Sequence, residues 1–542
     1  MTDSRRGVLT LVATILGSTI VFLDATVVNV ALPAISDDLD TGLADQQWVV
    51  EAYLLAMVAL LLVGGSLGDQ FGRRRIFVIG LVGFGVTSVL CAVAPSSAVL
   101  IGARAAQGLA GALLVPGSLA ILASTFEGPA RGKAVGTWTA WTGIATVLGP
   151  AGGGALIEAL SWRAIFWVNM PLIVVTILVT MRIVRESKDP QADRAIDWAG
   201  IGLSAAGLGL PVYALIQQPT HGWSDPVVYA PLIAGVLLFA SFLAWESRAP
   251  HAMLDLMLFR IRNFSVTNVE TLIVYAGLIG AFFFVTLFLQ ETVGYTPLEA
   301  GLATTPISLL LFVLSPQFGK IATGIGPRVP MSVGPIVGGL GLLLLIRLNS
   351  NAEYLTDVLP GVVIFGLGLS ATVAPLTATA LDSVEERRVG IASGVNNGVS
   401  RVAGLLAIAI LGAVISGSFA TTVDDRLSGQ QLSAAGTRAV EQAKQKPFGS
   451  ARTGQLPPAE AERVDAAVTE ASEGGFHLGM GLSGGLMIVG GLIAGAGLRN
   501  PERPRKPREA PRATPAGDCG HCPPSEEPVA AVREKEPVGE TV

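Results

Sequence analysis

The sequence predicts an all-α polytopic membrane protein, and three observations lead there. Only 14% of the 542 residues are charged, where a soluble chain carries about a quarter. Hydrophobic residues make up 51% and the mean hydropathy is +0.59. Apolar runs recur from residue 7 to residue 498, many of them long enough to cross about 30 Å of hydrocarbon. Together these exclude a soluble enzyme, a nucleic-acid binder and a secreted disulfide scaffold. Three cysteines, Cys91, Cys519 and Cys522, are too few for such a framework.

Fourteen spans are expected, at roughly 7–32, 47–67, 75–94, 98–125, 132–159, 163–184, 197–217, 226–246, 263–290, 297–319, 327–347, 354–380, 388–416 and 476–498. Arg5 and Arg6 precede the first span, which is too long for a signal h-region and lacks a cleavage site, so this helix is expected to stay in the protein. Proline and glycine sit inside many spans, which membrane helices tolerate. With a cytoplasmic N-terminus, eighteen Lys and Arg fall in short inner segments and only Arg163 and Arg347 at outer edges. The positive-inside rule then makes both termini cytoplasmic, N-in and C-in. That asymmetry holds on both sides of the 197–246 pair, so an even number of helices is inserted there. The net charge of -5 averages over both sides of a bilayer and adds little.

Landmarks repeat in order along the chain. Six helices begin near residue 7 and six near residue 263. Gly72 opens GRRR and Gly326 opens GPR, each after the second helix of its half, and Gly132 with Gly136 and Gly390 with Gly394 begin the fifth helices. The chain divides into an N-terminal six-helix bundle (1–184), an inserted helix pair with flanking loops (185–262), a C-terminal six-helix bundle (263–498) and a tail (499–542). Two parallel halves with a site between them are a transporter architecture. Residues 417–475 are expected to form a long outer loop in which Pro457 and Pro458 open a short helix over AEAERVDAAVTEA. The tail, rich in Pro, Glu, Arg and Lys, reads as disordered and cytoplasmic, and its first stretch, RNPERPRKPRE, as a headgroup anchor.

The turn after the second helix reads GSLGDQFGRRR. Its small residues, Gly65 and Gly72 among them, let helix ends approach, and Asp69 beside Arg73 and Arg74 suits a latch; the arginines alone would also serve to set orientation. This stretch resembles the signature loop of the major facilitator superfamily. LDATVVNVALP at 23–33, RAAQGLAGA at 104–112 and GIATVLGPAGGG at 143–154 resemble motifs of its drug:proton antiporters. SWRAIFWVNMP at 161–171 and the inserted pair resemble the fourteen-helix branch. The resemblance covers residues 7–416 and the last helix, and implies two six-helix bundles plus an inserted pair. It further implies proton-coupled efflux of small hydrophobic or cationic organic compounds from a bacterial cytoplasmic membrane, or else dedicated export of an endogenous metabolite. Arg104 would then be the proton-relay arginine, and Gly143, Gly149, Pro150 and Gly153 of helix five would seal the outer face.

Asp24 and Glu270 read as the intramembrane acids, costly there and therefore functional candidates. At the helical rise Asp24 lies about 12 Å below the outer end of its span and Arg104 about 9 Å, so the two match in depth and suit a pair. Glu270, about 10 Å from the inner face, suits protonation from the cytoplasm, contact with a cationic substrate, or a structural role. Asn29 and Gln107, the tryptophans Trp138 and Trp141 as an aromatic wall, and Asn396, Asn397 and Arg401 complete a candidate substrate cavity. Small residues around Pro150 suit close helix contact in any case.

Other signals lead nowhere. GPARGKA at 128–134 lacks phosphate-loop spacing, so no ATP site is expected; the resemblance implies a proton gradient as the energy source. Cys519-Gly-His-Cys522 is at most half a zinc site, and the four histidines have no metal spacing. The expected partners are a small-molecule substrate, protons and the lipid bilayer, with no cofactor, metal or nucleic acid; no enzymatic constellation is found, and a monomer is expected.

Overall fold

A computed structural model of the chain describes residues 3–188, 197–249, 253–385 and 388–500. The tail beyond Asn500, with Cys519 and Cys522, lies outside the described residues. The described residues are helical, without strands. The first half comprises α1 (Asp3–Leu39), α2 (Leu43–Phe71), α3 (Arg73–Ala92), α4 (Ser97–Thr125), α5 (Gly128–Ala159), the single turn α6 (Ala164–Trp167) and α7 (Asn169–Ile183). Then come α8 (Trp198–His221) and α9 (Pro226–Glu246). The second half comprises α10 (Arg262–Glu291), α11 (Pro297–Ile325), α12 (Arg328–Leu344), α13 (Leu359–Asp382), α14 (Val389–Leu427), α15 (Ala434–Lys444) and α16 (Pro458–Gly497). Among the described residues thirteen helical stretches are long and apolar enough to cross a membrane; α2, 29 residues long, stands where the second span is expected.

Helix ends follow local chemistry. Pro226 and Pro297 occupy first turns, where a missing N–H costs nothing. Thr296 and Glu299 form a reciprocal capping box on α11. The repeat is visible in the backbone. Gly72 ends α2 at φ +115° and Gly326 ends α11 at φ +91°, a region that glycine enters readily. In each half the third residue after the last helix bonds to this turn. Arg74 N–H donates to Glu186 Oε1 at 3.0 Å, and Arg328 N–H donates to Asn500 Oδ1 at 3.1 Å.

Residues 417–475 differ from the expected polar loop: they are largely helical. α14 runs on to Leu427, and the helix that starts at Pro458 continues without a break through the last span. Apolar residues recur at helical spacing here, and Phe419, Val423, Val440, Val464 and Val468 close a small core of their own. No proline lies between residues 459 and 497 to stop α16.

Contacts between the two halves gather at the end where α1 and α10 finish. A Cβ on Gly154 of α5 would lie 2.4 Å from the Pro297 carbonyl oxygen, and one on Gly301 of α11 2.4 Å from that of Pro150. Gln47 Nε2 donates to Ile408 O at 2.8 Å, and Gln290 Nε2 to Val30 O at 3.1 Å. The helical cap joins the same end: Leu43 N–H donates to Gln445 O at 3.0 Å, and Arg452 pairs with Asp40 at 2.7 Å. At the opposite end a cavity of about 530 Å³ lies among α1, α4, α5 and the segment after α7.

Gly72→Ala places a Cβ 2.7 Å from the Glu186 carboxylate at positive φ, a strain of about 1–3 kcal/mol. Thermal unfolding in detergent is expected at lower temperature than for Gly102→Ala, whose Cβ meets nothing within 4 Å.

Candidate functional site

Asp24 sits in α1, 2% exposed, inside a fully buried polar cluster drawn from four further helices. Arg104 Nη1 of α4 donates to its Oδ2 at 2.5 Å. Gln107 Nε2, one turn along α4, donates to Oδ1 at 3.1 Å, and Asn169 Nδ2 of α7 to the same oxygen at 3.2 Å. Ser88 of α3 accepts from Gln107 and Asn169, while Arg104 also donates to Val49 O of α2 and to Gln107 Oε1. The guanidinium carbon lies 4.2 Å from the centroid of the Tyr53 ring. The i, i+3 spacing of Arg104 and Gln107 puts both on one face of α4. Glycine makes room for them: a Cβ on Gly108 would lie 2.2 Å from Tyr53 O. Ser88, Asn169 and Tyr53 are members of this site that sequence reasoning did not single out; Asn169 lies within the SWRAIFWVNMP motif and carried a signal.

Glu270 is fully buried, and neither carboxylate oxygen has a hydrogen-bond partner. Its neighbours on the same face of α10, Val266 and Val274, pack on Gly497 and Gly490 of α16. The acid therefore lies along the α10–α16 seam, inside the second half. A third intramembrane acid, Glu51 of α2, was missed. It too is fully buried with both oxygens unpartnered. Gln47, one turn before it, reaches α14, and Leu55, one turn after, packs on Gly209 of α8. Glu51 thus stands where the first half, the second half and the inserted pair meet. Its position inside the expected 47–67 span was the available signal.

The turn at Gly72 is tied within its own half. Asp69 pairs with Arg73 at 2.7 Å across one helical turn. Arg74 and Arg75 face Glu186, at 3.8 and 3.9 Å, and Arg73 N–H donates to Ser187 O. The acid serving Arg74 is therefore Glu186, an acid amid the basic residues after α7. Gly65 lies inside α2. Of the helix-five residues, Gly149 and Gly153 bring α5 onto Thr26 and Val27 of α1, and Pro150 meets Gly301 of α11; Gly143 has nothing within 4 Å of a built Cβ.

The remaining candidates separate. Trp138 is buried among Leu122, Ala134 and residues of α1, with its Nε1 donating to Ser18 Oγ at 3.0 Å, whereas Trp141 is 54% exposed. Although i, i+3 spacing puts both on one side of α5, neighbouring helices cover only Trp138, so the two do not share one surrounding. Asn396 Nδ2 donates to Thr271 Oγ1 at 2.8 Å and to Asn268 Oδ1 at 3.2 Å, tying α14 to α10; Asn397 is exposed and bonds its own helix at Ser393 O. The Asn29 Oδ1 atom is buried without a partner. Arg401 reaches across to α1, where its guanidinium carbon lies 5.6 Å from the Phe22 centroid. Among the described residues no group of three or more His, Cys, Asp or Glu is placed to hold a metal ion.

Many apolar spans, two halves sharing a repeated backbone turn and polar clusters within the spans define a multi-pass membrane protein of transporter architecture. Residues 14–408 match the Major Facilitator Superfamily, and the chain belongs to that family of membrane transporters acting on small molecules. It is 36% identical over 425 residues to the multidrug resistance protein Stp of Mycobacterium tuberculosis (strain CDC 1551 / Oshkosh), covering 78% of this chain and 79% of that one. It is 32% identical over 520 residues to the tetracenomycin C resistance and export protein of Streptomyces glaucescens, covering 94% and 95%. In fold it is similar to a bacterial homologue of the human lysosomal transporter Spinster solved in an inward-facing, unoccupied conformation. That likeness has a TM-score of 0.61 at 16% identity, over 92% of this chain and 99% of that one.

Asp24→Asn leaves the buried Arg104 guanidinium without its counter-charge, a loss of about 3–5 kcal/mol. The melting temperature in detergent is expected to fall clearly, and the double variant Asp24→Asn/Arg104→Gln to recover a large part of it.

Proposed function

We propose that this chain exports small organic compounds of the drug and antibiotic type across the cytoplasmic membrane in exchange for protons. Counting α2 with the thirteen other stretches gives fourteen crossings. The distribution of Lys and Arg puts both ends of the chain inside, as an even number of crossings requires. The end where α1 and α10 finish is then the outer end. The contacts between halves described above lie there, while the 530 Å³ cavity at the inner end lies within the first half and the segment after α7. This arrangement suits alternating access with the outer side closed.

The observation that carries proton coupling is the pair of unpartnered buried carboxyls, Glu270 and Glu51. A charge without a partner inside a membrane is costly, and a neutral carboxyl far less so. Proton gain or loss at either acid therefore follows any movement that changes its surroundings. Asp24, held by Arg104, Gln107 and Asn169, acts in this reading with Arg104 as the fixed polar centre of the first half. The gradient supplies the energy; no nucleotide, metal or organic cofactor takes part, and one chain suffices. Asp69, Arg73, Arg74 and the Gly149–Gly153 stretch govern the switch between states. The relative from Streptomyces, whose name joins resistance and export of one compound, favours a second reading: dedicated export of a single metabolite.

Everted vesicles under an imposed pH gradient test this. Addition of a transported drug is expected to release protons with the native chain, and Glu270→Gln and Glu51→Gln to lower that release at least tenfold while leaving the protein in the membrane. Undiminished release in both variants removes these two acids from the coupling. No release with any compound removes proton-driven export itself.

A further inference from the structure

Arg401 is the charged residue that the mechanism above leaves unused. It lies twelve residues into α14, which at the helical rise is about 18 Å from the start of that helix, near the middle of the 388–416 span. Its side chain leaves its own half. The guanidinium carbon stands 5.6 Å from the ring centroid of Phe22 in α1. Tyr53 of α2 reaches the neighbouring residue of that turn, its hydroxyl donating to Val21 O at 3.4 Å. A cation of the second half thus lies against an aromatic turn of the first.

Among the described residues Arg401 makes no hydrogen bond and no ion pair. The intramembrane acids named above stand elsewhere in the fold. Asp24 is held at 2.5 Å by Arg104, which lies over the Tyr53 ring. Glu270 lies along the α10–α16 seam, and Glu51 between α8 and α14. A guanidinium at this depth, half-buried, is costly unless an anion or water reaches it. Its five donors form a fork that matches the two oxygens of a carboxylate or the oxygens of an acidic phenol system. Phe22 supplies a flat apolar face beside it.

We propose that Arg401, with Phe22 and Tyr53, forms the seat for the ionised acidic group of a planar aromatic substrate. The compounds moved are then aromatic acids rather than organic cations. The inference rests on the export reading for its role in transport, but the seat itself is a binding site and is testable without a gradient. Because the site draws on both halves, an anion bound there neutralises Arg401 at the surface where they meet.

The probe is a matched pair of xanthene dyes, anionic fluorescein and cationic rhodamine 123, titrated with the full-length protein in neutral detergent by fluorescence polarisation. The native protein is expected to bind fluorescein more tightly than rhodamine 123. Loss of a charge-assisted pair is worth about ten- to a hundredfold, so Arg401→Gln is expected to weaken fluorescein binding by that factor. Rhodamine 123 binding should hold or tighten, which also reports that the variant is folded; Arg401→Lys should keep part of the fluorescein affinity. Tighter binding of rhodamine 123 to the native protein, no fluorescein binding, or equal fluorescein affinity in Arg401→Gln overturns the proposal. Uptake of the same dyes into everted vesicles separates the two readings. Selective fluorescein binding without gradient-driven uptake keeps the seat and sinks the coupled export.

Discussion

A carboxylate removed from water must either meet donors or lose its charge, and the architecture of this chain is arranged around three that are so removed. Asp24 meets donors. A guanidinium and two amides from α4 and α7 surround it, and in doing so they fasten α1, α3, α4 and α7 to one another at mid-depth. Glu51 and Glu270 meet none, and both stand in helix seams rather than in open space. A held acid gives rigidity, and an unheld one gives sensitivity to whatever slides past it. The first half thus owns a fixed polar centre, while the seams toward α8, α14 and α16 carry the responsive groups.

Close helix approach is the second constraint. At Gly154 and Gly301 the backbones of the two halves come so near that a single added carbon would collide with a carbonyl oxygen. A contact of this kind has little apolar area and depends on fit. It gives a seam that closes firmly and parts without exposing a broad greasy surface. In the proposed exchange such a seam is what an outer gate requires.

Much of this was legible from residue order. Depth arithmetic from the span ends set Asp24 beside Arg104, and their side chains meet. The repeat of Gly72 and Gly326 returned as two glycines at positive φ, each ending the second helix of its half. Three features were not legible. Glu51 hid because its helix already read as a span, and one charge within residues 47–67 does not disturb that reading. The paired tryptophans were misleading since spacing alone does not say which face of α5 is covered. The 417–475 segment looked like a polar excursion because its apolar positions are mostly alanine and valine. Such a stripe forms a core only once α14, α15 and α16 lie together.

The continuity of α16 has a mechanical consequence. Forty residues in one helix make a rod of about 60 Å. One end carries the helical cap whose Gln445 and Arg452 grip the α1–α2 turn. The other end delivers Asn500 to the turn at Gly326. A stiff rod cannot tilt at one end alone. In the proposed exchange, release of the grip at one end would therefore swing the turn at the other, so that the two ends are geared together by a lever that needs no chemical relay between them.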